Sequence, residues 1–408
     1  MILNIFKVIW NRKSKNTFIA IEMFVLFILV FGSGFFLLEK ISIYRIPDNY
    51  QTHNRIMLQM VSNTADQDQY LEDMEKLARN LSFLPGIIKV GKAVDGPLVG
   101  SYMSSGVEVD SIKFFAQFRG ADANLHEALG LQLVEGNWYT QEEINLYASV
   151  FPFNQSGEGM ILENINAPIV IDRLLAEKFF GDNPATGKII IARGRSCRVT
   201  GVVEPSKRYA FEKPEPTVYF PTEWPLNSRR MDLYLHVDDP YQTGLMEQIN
   251  HRIFTSVDQE MWNISTLASM QATKNHYIEQ ERVDLVQVNF LVLFVLFTAM
   301  LGLTGIFSYN INKRKPEMGI LLAVGSTQFS LQWRLVLEMV FVSLLGIVPA
   351  IFILIQIPFL KIFPIDPVFY YQTLLWVFVF IVAMVILFAW YPAMKASRME
   401  PAQALKEE

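Results

Sequence analysis

Four long runs of apolar residues constrain this chain more than any other feature of its sequence. A helix needs roughly 20 predominantly apolar residues to cross the hydrocarbon core of a bilayer. Each run is about that long, and 51% of the 408 residues are hydrophobic. The sequence therefore predicts a membrane protein with four transmembrane α-helices. The runs are residues 18–38, 285–309, 335–360 and 374–393.

Basic residues precede the first run, so this run could be either a cleaved signal peptide or a membrane anchor. Lys7, Arg12, Lys13 and Lys15 supply the charge. The apolar core of a signal peptide is roughly 7 to 15 residues long and is followed by a small-residue cleavage site. This run is longer, and the sequence EKISIYRIPDNY that follows contains no such site. We therefore expect an uncleaved anchor.

The distribution of Lys and Arg beside the runs predicts the orientation of the chain. Residues 1–16 carry four basic side chains and no acidic one. The segment between the second and third runs carries four basic residues and one acidic residue, Glu317. Short segments rich in Lys and Arg remain on the cytoplasmic side of a membrane. We expect an inner-membrane protein with both termini in the cytoplasm.

The long segment between the first two runs, residues 39–284, must then lie outside the cytoplasm. It contains 23 Lys and Arg residues against 33 Asp and Glu residues, a net charge of −10, which argues against nucleic-acid binding. The one cysteine of the chain, Cys197, falls here, so no disulfide within the chain can stabilise the segment. We expect a large α/β or α+β periplasmic domain inserted between helices 1 and 2.

Both ends of this domain contain segments whose sequence is typical of helices. Apolar residues such as Ile56 and Met60 recur at helical intervals through residues 48–80. Residues 263–288 read as a helix that continues without proline or glycine into the second run. The sequence therefore predicts stalk helices at the base of the periplasmic domain.

The middle of the domain alternates between strand and helix signals. Residues 167–191 predict a strand, a helix and a strand, with Asp172 as the N-cap of the helix. Alternating apolar residues predict further strands in residues 196–205 and 216–224.

The stretch FFGDNPATGKII resembles a phosphate-binding loop but lacks its spacing. A P-loop places four residues between its glycines and a Ser or Thr after its lysine. Here five residues separate Gly181 from Gly187, and Ile189 follows the lysine. With Pro184 between the glycines, the stretch predicts a structural turn between the helix and the strand.

The sequence contains none of the common motifs that would indicate an enzyme. We find no Walker A motif, no histidine pair with metal-ligand spacing and no G-x-S-x-G motif. We therefore expect no catalytic residues, no metal site and no cofactor bound by this chain.

Two carboxylates, Glu22 and Glu338, lie inside the apolar runs. Ionisable groups in a membrane helix often mark functional sites, such as a proton relay. Both are near the cytoplasmic ends, where Glu338 could meet a basic residue such as Arg334. We favour a structural role in helix pairing over a proton relay. Gly302 and Gly305 are expected to allow close packing of helices.

Four motifs occur along the chain in a characteristic order. They are GLQLVEGNWYTQEE and VIDRLLAEKFFGDNPATGKIIIARGRSCRVTGVV in the domain, NKRKPEMGILLAVGSTQFSLQWRLVLE in the cytoplasmic loop, and the tail YPAMKASRMEPAQALKEE. These motifs, with the order of the helices and the domain, resemble the MacB-like, or FtsX-type, permease family of ABC transporters. In that family, one helix is followed by a large periplasmic domain and then by three more helices.

The resemblance implies that this chain is the permease subunit of a type VII ABC transporter. ATP and Mg²⁺ would then bind to a separate cytoplasmic ATPase subunit, and the loop after the second run would dock on it. Pro316 predicts that a short amphipathic helix begins there. The alternative is an interfacial helix that lies on the lipid. The expected docking residues are Glu317, Met318, Gly319, Ile320, Ala323 and Gly325.

Two functions remain open at this point. The chain could serve efflux or extraction of a periplasmic substrate, or it could be an FtsX-like signalling protein that acts on a periplasmic partner. The resemblance also implies a second permease, either a homodimer partner or a related chain. A periplasmic adaptor or substrate protein and the membrane lipids are the other expected partners.

The expected domain organisation follows. It comprises an N-terminal cytoplasmic or interfacial helix (1–17), the first span (18–38), the periplasmic domain with stalk helices (39–284), the second span (285–309), the cytoplasmic coupling loop (310–334), the third span (335–360), the fourth span (374–393) and the cytoplasmic tail (394–408).

Overall fold

The chain divides into two folded units, and two of its helices are shared between them. The computed structural model describes residues 13–63, 66–100, 103–110, 112–150, 166–221, 230–360 and 366–398. One unit comprises Met1–Ile41 and Arg282–Glu408, and the other comprises Ser42–Glu281. The predicted N-terminal helix 1–17 and cytoplasmic tail 394–408 fall mostly outside the described residues.

Helices and strands are numbered here along the chain. The helices are α1 (Lys13–Tyr44), α2 (Gln67–Ser82), α3 (Leu125–Leu129), α4 (Gln141–Val150), α5 (Arg173–Phe180), α6 (Leu245–Ser256), α7 (Met270–Asn312), α8 (Lys315–Ala323), α9 (Gln328–Gln356) and α10 (Pro367–Ser397), with a 3-10 turn at Ile357–Leu360. The strands are β1 (Arg55–Ser62), β2 (Ile87–Val94), β3 (Met103–Val109), β4 (Ile112–Ala121), β5 (Leu133–Gly136), β6 (Ala167–Asp172), β7 (Ile189–Ala192), β8 (Arg195–Val203), β9 (Thr217–Pro221), β10 (Arg230–Val237) and β11 (Trp262–Ser269).

In the helical unit, α1, α7, α9 and α10 are long and apolar enough to cross a membrane. Each of the four apolar runs lies within one of these helices, or, for the third run, within α9 and the 3-10 turn that extends it. Many of their large apolar side chains remain exposed, as expected of helices whose outer surface meets lipid. The inward faces share a core that includes Met23, Phe27, Met300, Val336, Ile347, Ile381 and Ala393.

A close backbone approach in this unit lies at Gly346, on α9. A Cβ atom built on Gly346 would lie 2.0 Å from the carbonyl oxygen of Ala20 and 2.9 Å from the amide nitrogen of Phe24. Helices in membranes use small residues to bring backbones together in this way. The expectation of close packing at Gly302 and Gly305 is wrong. A Cβ on Gly305 would meet nothing within 4 Å, and one on Gly302 would only touch Glu22 at 3.8 Å.

The unit Ser42–Glu281 is built on a mixed β-sheet. Its strand order is β11-β1-β10-β2-β4-β3-β7-β8-β6-β9, and β5 pairs with β8. Most neighbours are antiparallel, whereas β6 with β8 and β4 with β9 are parallel. The sheet supports three apolar cores. One lies between α2, α6 and the strands β1 and β10, the second lies beside α5 and the strands β6 and β8, and the third surrounds α3 and includes Trp138 and Met270. The domain is therefore α/β in composition, as the sequence predicts.

In two segments that the sequence predicts to be helical, the first part forms a strand and only the later part forms a helix. Within residues 48–80, the segment around Ile56 and Met60 forms β1, and the helix α2 starts only at Gln67. Within residues 263–288, the first part forms β11 and α7 starts at Met270. β1 is buried along nearly its whole length, so apolar residues occur on both of its faces and mimic helical spacing.

The strand, helix and strand predicted for residues 167–191 are confirmed as β6, α5 and β7. Asp172 is the N-cap of α5, and its Oδ1 accepts a hydrogen bond of 2.9 Å from the amide of Leu175. The predicted strands in 196–205 and 216–224 are β8 and β9. β9 is buried on both faces, so it is more enclosed than its alternating pattern suggests.

Asp232 is a fully buried carboxylate in the middle of the sheet. It lies on β10, where Oδ2 accepts a long hydrogen bond of 3.4 Å from the amide of Gly96, and Oδ1 has no hydrogen-bond partner among the described residues. Burial raises the pKa of Asp232 to about 7. An ionised carboxylate is costly in such a place, so the group is protonated in the folded domain below about pH 7 and ionised above it.

Replacing Gly346 by alanine should destabilise the helical unit, because the new methyl group would overlap the carbonyl of Ala20. Overpacking of this kind costs about 1–3 kcal/mol. Thermal unfolding in detergent should show a lower midpoint for Gly346→Ala than for wild type. Gly305→Ala is the matched control and should leave the midpoint nearly unchanged, so equal midpoints for the two variants would contradict the packing described here.

Replacing Asp232 by asparagine should remove a pH dependence from the stability of the domain. The folded pKa lies near 7 and the unfolded pKa near roughly 3.9, so the folded state binds an extra proton between these values. Its contribution to stability is complete below the unfolded pKa and is lost as pH rises through about 7. We expect the urea midpoint of wild type to fall, relative to that of Asp232→Asn, between about pH 5 and about pH 8.

The change in relative stability should be on the order of a few kcal/mol. Tryptophan fluorescence can follow the unfolding, since Trp138 and Trp262 are buried in the domain. Asp238→Asn, at an exposed position just after β10, is the control and should retain the wild-type slope. Parallel pH profiles for wild type and Asp232→Asn would show that Asp232 is not protonated in the folded domain.

Candidate functional site

The segment after α7 forms a short, separate helix. α7 ends at Asn312, a turn follows, and α8 begins at Lys315 with Pro316 in its first turn. Proline suits this position because its fixed φ angle fits the helix and its missing N–H is not needed there. The prediction that a new helix starts near Pro316 is therefore confirmed.

The end of α8 is fixed by a glycine. Gly325 has a φ angle of +101°, and its amide donates to the carbonyl of Leu322 at 3.1 Å. The amide of Ser326 donates to the carbonyl of Leu321 at 3.0 Å. This pair of bonds is a Schellman motif, which closes a helix and turns the chain away from it. The expectation that Gly325 forms part of the amphipathic helix is wrong, since it lies just beyond the helix end.

The two faces of α8 differ in exposure. Met318 and Gly319 are buried, whereas Glu317 and Ile320 are exposed. Ala323 is exposed at the last position, as are all the residues from there to residue 330. The structure therefore separates the predicted docking residues into an inward pair and an outward group.

Three large apolar side chains are exposed between α8 and the start of α9. The exposed fraction is 53% for Ile320, 82% for Val324 and 65% for Phe329. Between Val324 and Phe329 the chain is polar or glycine, with the sequence GSTQ. We call these three side chains the α8 surface. It is an apolar surface with polar residues at its edge.

An ion pair ties the start of α8 to α9. The Nη1 atom of Arg314 donates to both carboxylate oxygens of Glu338, at 2.8 and 2.9 Å, and its Nε donates to Glu317 at 2.9 Å. The side chains of Arg314 and Glu338 are only 13% and 18% exposed. Sequence reasoning named Arg334 as a partner for Glu338, but the guanidinium that contacts this carboxylate is that of Arg314.

The second intramembrane carboxylate is placed differently. Glu22 lies on α1 and is half-buried. Its Oε2 atom is buried and has no hydrogen-bond partner among the described residues, and its Oε1 atom lies near Gly302. The structure therefore brings Glu338 together with Arg314, whereas Glu22 has no ion pair with any residue that the structure describes.

The turn at FFGDNPATGKII makes its own internal contacts. Gly181 and Gly187 both have positive φ angles, +59° and +81°. The amides of Ala185 and Thr186 point at the carboxylate of Glu135, with distances of 3.2 and 2.7 Å. Pro184 precedes this pair in the sequence. The backbone N–H groups in this turn thus bind a side chain of the same domain.

Groups with reactive chemistry are not assembled in the part of the chain that the structure describes. No cluster of three or more His, Cys, Asp or Glu residues could hold a metal ion there. Cys197 is fully buried, and burial raises the pKa of its thiol to about 12. A thiol in this state is unreactive at neutral pH.

Sequence models of two known families match this chain. The sequence model of the FtsX-like permease C-terminal family matches residues 289–401. The model of the MacB-like periplasmic core domain matches residues 23–253, which is more than half of the chain.

The chain belongs to the MacB-like permease family. It is a membrane protein with four helices long and apolar enough to span a bilayer and an α/β domain of the MacB periplasmic type between the first and second. The family and fold class inferred from the sequence are thereby confirmed.

Curated relatives of this MacB-like permease are export proteins. The macrolide export ATP-binding/permease protein MacB of Acinetobacter baylyi is 22% identical over 286 residues, which cover 67% of this chain and 42% of the relative. The probable syringafactin export ATP-binding/permease protein SyfD of Pseudomonas syringae pv. tomato is 23% identical over 323 residues, which cover 76% and 45%. This chain spans less than half the length of either relative.

Solved structures of related domains are also similar to this permease. The periplasmic region of MacB from Actinobacillus actinomycetemcomitans aligns with 55% of this chain and 92% of its own, at 17% identity and a TM-score of 0.37. The extracellular domain of the noncanonic ABC-type transporter YknZ from Gram-positive bacteria aligns with 52% of this chain and 100% of its own, at 14% identity and a TM-score of 0.33.

Removing the carboxylate of Glu338 should loosen α8. In Glu338→Gln the Arg314 guanidinium keeps its poorly exposed position but loses the less exposed of its two carboxylate partners and retains only the exposed Glu317, which is a costly arrangement. Hydrogen exchange should show amides of residues 315–325 exchanging roughly tenfold faster or more than in wild type. Glu317→Gln is the control, because Glu317 is 61% exposed and such surface pairs contribute little. Equal exchange in both variants would show that the Arg314–Glu338 pair does not hold this helix.

Proposed function

We propose that this chain is the permease subunit of a MacB-like ABC transporter. In this proposal a separate ATPase subunit binds and hydrolyses ATP with Mg²⁺. The permease converts those events into movement of the domain Ser42–Glu281, which drives efflux or extraction of a substrate. Membership of the MacB-like permease family supports this assignment.

One observation supports the docking step most directly. The α8 surface, formed by Ile320, Val324 and Phe329, is exposed, and the ion pair from Arg314 to Glu338 fixes the helix that carries it. An apolar helix surface presented on a rigid support suits a groove in a partner protein. We therefore assign this surface to contact with the ATPase.

The alternative for α8 is an interfacial helix that rests on lipid. Such a helix has a broad apolar face and basic residues along its polar face. In α8 two of the apolar-face positions, Met318 and Gly319, are turned into the chain's own core, and the exposed Val324 is followed by the polar sequence GSTQ. A small apolar surface with a polar edge fits a protein groove better than a lipid surface.

The proposed orientation places α8 in the cytoplasm. Lys313, Arg314 and Lys315 lie at the junction of α7 and α8, and basic residues beside a span favour the cytoplasmic side. The domain Ser42–Glu281 then lies in the periplasm, and both termini lie in the cytoplasm. The protein is assigned to the inner membrane.

The names of the relatives support export as the function. The relatives from Acinetobacter and Pseudomonas are named for export of a macrolide and, in the second case as a probable function, of syringafactin. Export of a small molecule from the periplasm or outer leaflet is therefore our first assignment. An FtsX-like signalling role is less favoured, because residues 23–253 match the MacB periplasmic core.

Further partners belong to the same proposal. A second permease, either another copy or a related chain, would provide the opposing half of the transporter. A periplasmic adaptor would connect the domain to the next part of an export route. Genes for an adaptor and an outer-membrane channel beside this one would favour efflux, whereas a gene for a cell-wall enzyme would favour signalling.

Introducing a charge on the α8 surface should release the ATPase. We expect wild-type permease in detergent to retain its candidate ABC ATPase in a pull-down, and Val324→Glu and Ile320→Glu to retain roughly tenfold less, because a buried unpaired charge is unfavourable in an interface. Gly319 is unsuitable for this test, since a glutamate there would disturb the core of the permease itself.

Val324→Thr is the matched control. It has nearly the same shape as valine and no charge, so it should retain the ATPase as wild type does. Thermal unfolding should confirm that all variants are folded. Loss of the ATPase from every version, wild type included, would overturn the docking assignment, as would full retention by both glutamate variants.

A further inference from the structure

The start of the domain Ser42–Glu281 contains a compact ionic cluster. Asp48 lies in the loop between α1 and β1, Lys207 lies in the loop between β8 and β9, and Lys274 lies in the second turn of α7. These three side chains come together although they are distant in sequence. We call them the Asp48 cluster.

Lys207 is buried completely and contacts the end of α1. Its Nζ atom donates to the carbonyl oxygens of Ile43 at 2.6 Å and Ala210 at 3.1 Å, and lies 3.9 Å from Oδ1 of Asp48. The carbonyl of Ile43 is one of the last four of α1 and also accepts from the amide of Ile46 at 3.0 Å, so Lys207 supplies its second hydrogen bond. A cation at this position also favours the negative end of the helix dipole.

Burial lowers the pKa of Lys207, and the charge of Asp48 acts in the opposite direction. A fully buried ammonium group needs a nearby anion to remain charged. The carboxylate of Asp48 is the one that the structure places beside it. The carboxylate of Asp48 therefore stabilises the charged form of Lys207, and it also pairs with Lys274.

Lys274 brings the first turns of α7 to the same carboxylate. Its Nζ atom donates to Oδ2 of Asp48, and the two side chains are 19% and 16% exposed. Two neighbouring contacts reinforce this attachment. The rings of Tyr277 and Tyr209 are 4.7 Å apart between centroids, and Thr52 bonds to Gln271.

The two loops are also bonded to each other through their backbones. The amide of Lys207 donates to the carbonyl of Asp48 at 3.0 Å, and Asn49 Nδ2 donates to the carbonyl of Pro205 at 2.8 Å. The end of α1, the start of α7 and the loop before β9 are thus connected through one residue, Asp48.

We propose that the Asp48 cluster is a rigid joint that fixes the end of α1 and the first turns of α7 to the folded domain, so that displacement of these helices moves the domain as a body. Lys274 is the positioning residue of this joint on α7. Without it, the chain from Ser269 to Met270, the Tyr277 ring contact and the Gln271 bond would still hold α7, but no ion pair would fix its angle at the end of β11. This role rests on the proposed function in one respect only, namely that an ATPase supplies the displacement.

Spin labels can measure the rigidity of this joint. We would place one label at Ala272, which is exposed on α7, and one at Phe115, which is 78% exposed on β4. The native Cys197 is fully buried and should remain unlabelled. Pulsed electron spin resonance then gives the distribution of distances between the two labels in the full chain in detergent, alone in the first arm and with its ATPase in the second.

The first arm uses no nucleotide. We expect a narrow distance distribution in wild type and one roughly twofold wider in Lys274→Gln, because the helix gains a second set of orientations. Lys274→Arg keeps the charge and should restore the narrow distribution. Lys113→Gln, which breaks the surface pair of Lys113 with Glu108 on β3, is the control and should behave as wild type.

The second arm compares the nucleotide-free complex with the complex locked by a non-hydrolysable ATP analogue. In wild type the mean distance should stay the same, because helix and domain move together. In Lys274→Gln the mean distance should change with nucleotide, while the ATPase remains bound and hydrolyses ATP. A variant with merely lower stability would instead show a lower unfolding midpoint and the wild-type distances. If Lys274→Gln does not fold, the experiment uses Lys274→Met instead, because methionine keeps the apolar stem of the lysine side chain.

The outcomes separate this proposal from the proposed function. An equally narrow distribution in folded Lys274→Gln would overturn the joint, and so would a nucleotide-dependent shift in wild type as large as in the variant. Failure of the wild-type permease to retain an ATPase would overturn the proposed function. The first arm needs no ATPase, so it would still decide whether the joint is rigid.

Discussion

A helix that crosses lipid must satisfy its own backbone hydrogen bonds, because hydrocarbon offers no partner, and much of this molecule follows from that constraint. The helix α7 shows the effect of this constraint most clearly, because its 43 residues form one unbroken helix. At 1.5 Å per residue it is about 65 Å long, whereas the hydrocarbon core is only about 30 Å thick. Roughly half of α7 must therefore lie outside the hydrocarbon. The same hydrogen-bond ladder that satisfies the backbone in lipid continues into a water-exposed element of the domain.

Charged groups occur at both ends of this helix, where the apolar surface stops. Lys274 near the start of α7 contacts Asp48, and Arg314 just after its end contacts Glu338. Each contact is only partly exposed, so each is less screened by water than an ordinary surface pair. In both cases the partner belongs to another element, an inter-element loop in one and α9 in the other. Between these ends the apolar part of the helix makes a polar contact with α1, where the hydroxyl of Ser33 donates to Oδ1 of Asn289 at 2.9 Å.

The sequence predicted the membrane helices, the mixed domain and the short helix after α7, because each has a signal that depends on adjacent residues. Apolar length, turn residues and a proline at a helix start are local properties. β1 was taken for a helix because a strand buried on both faces shows no clean alternation. The partner of Glu338 was missed because Arg314 lies 24 residues away and meets it only after α8 and α9 have folded back. The burial of Gly319 and the exposure of Val324 likewise depend on which face of α8 meets the core.

The turn that resembles a phosphate-binding loop has a chemical consequence of its own. Its amides at Ala185 and Thr186 already bind the carboxylate of Glu135. Because that carboxylate belongs to the same folded domain, it is present at an effective concentration of the order of millimolar or higher, whatever the solution contains. A free anion at a lower concentration competes poorly for these two amides. The domain thus provides the anion that its own turn requires, and the site is occupied as soon as the chain has folded.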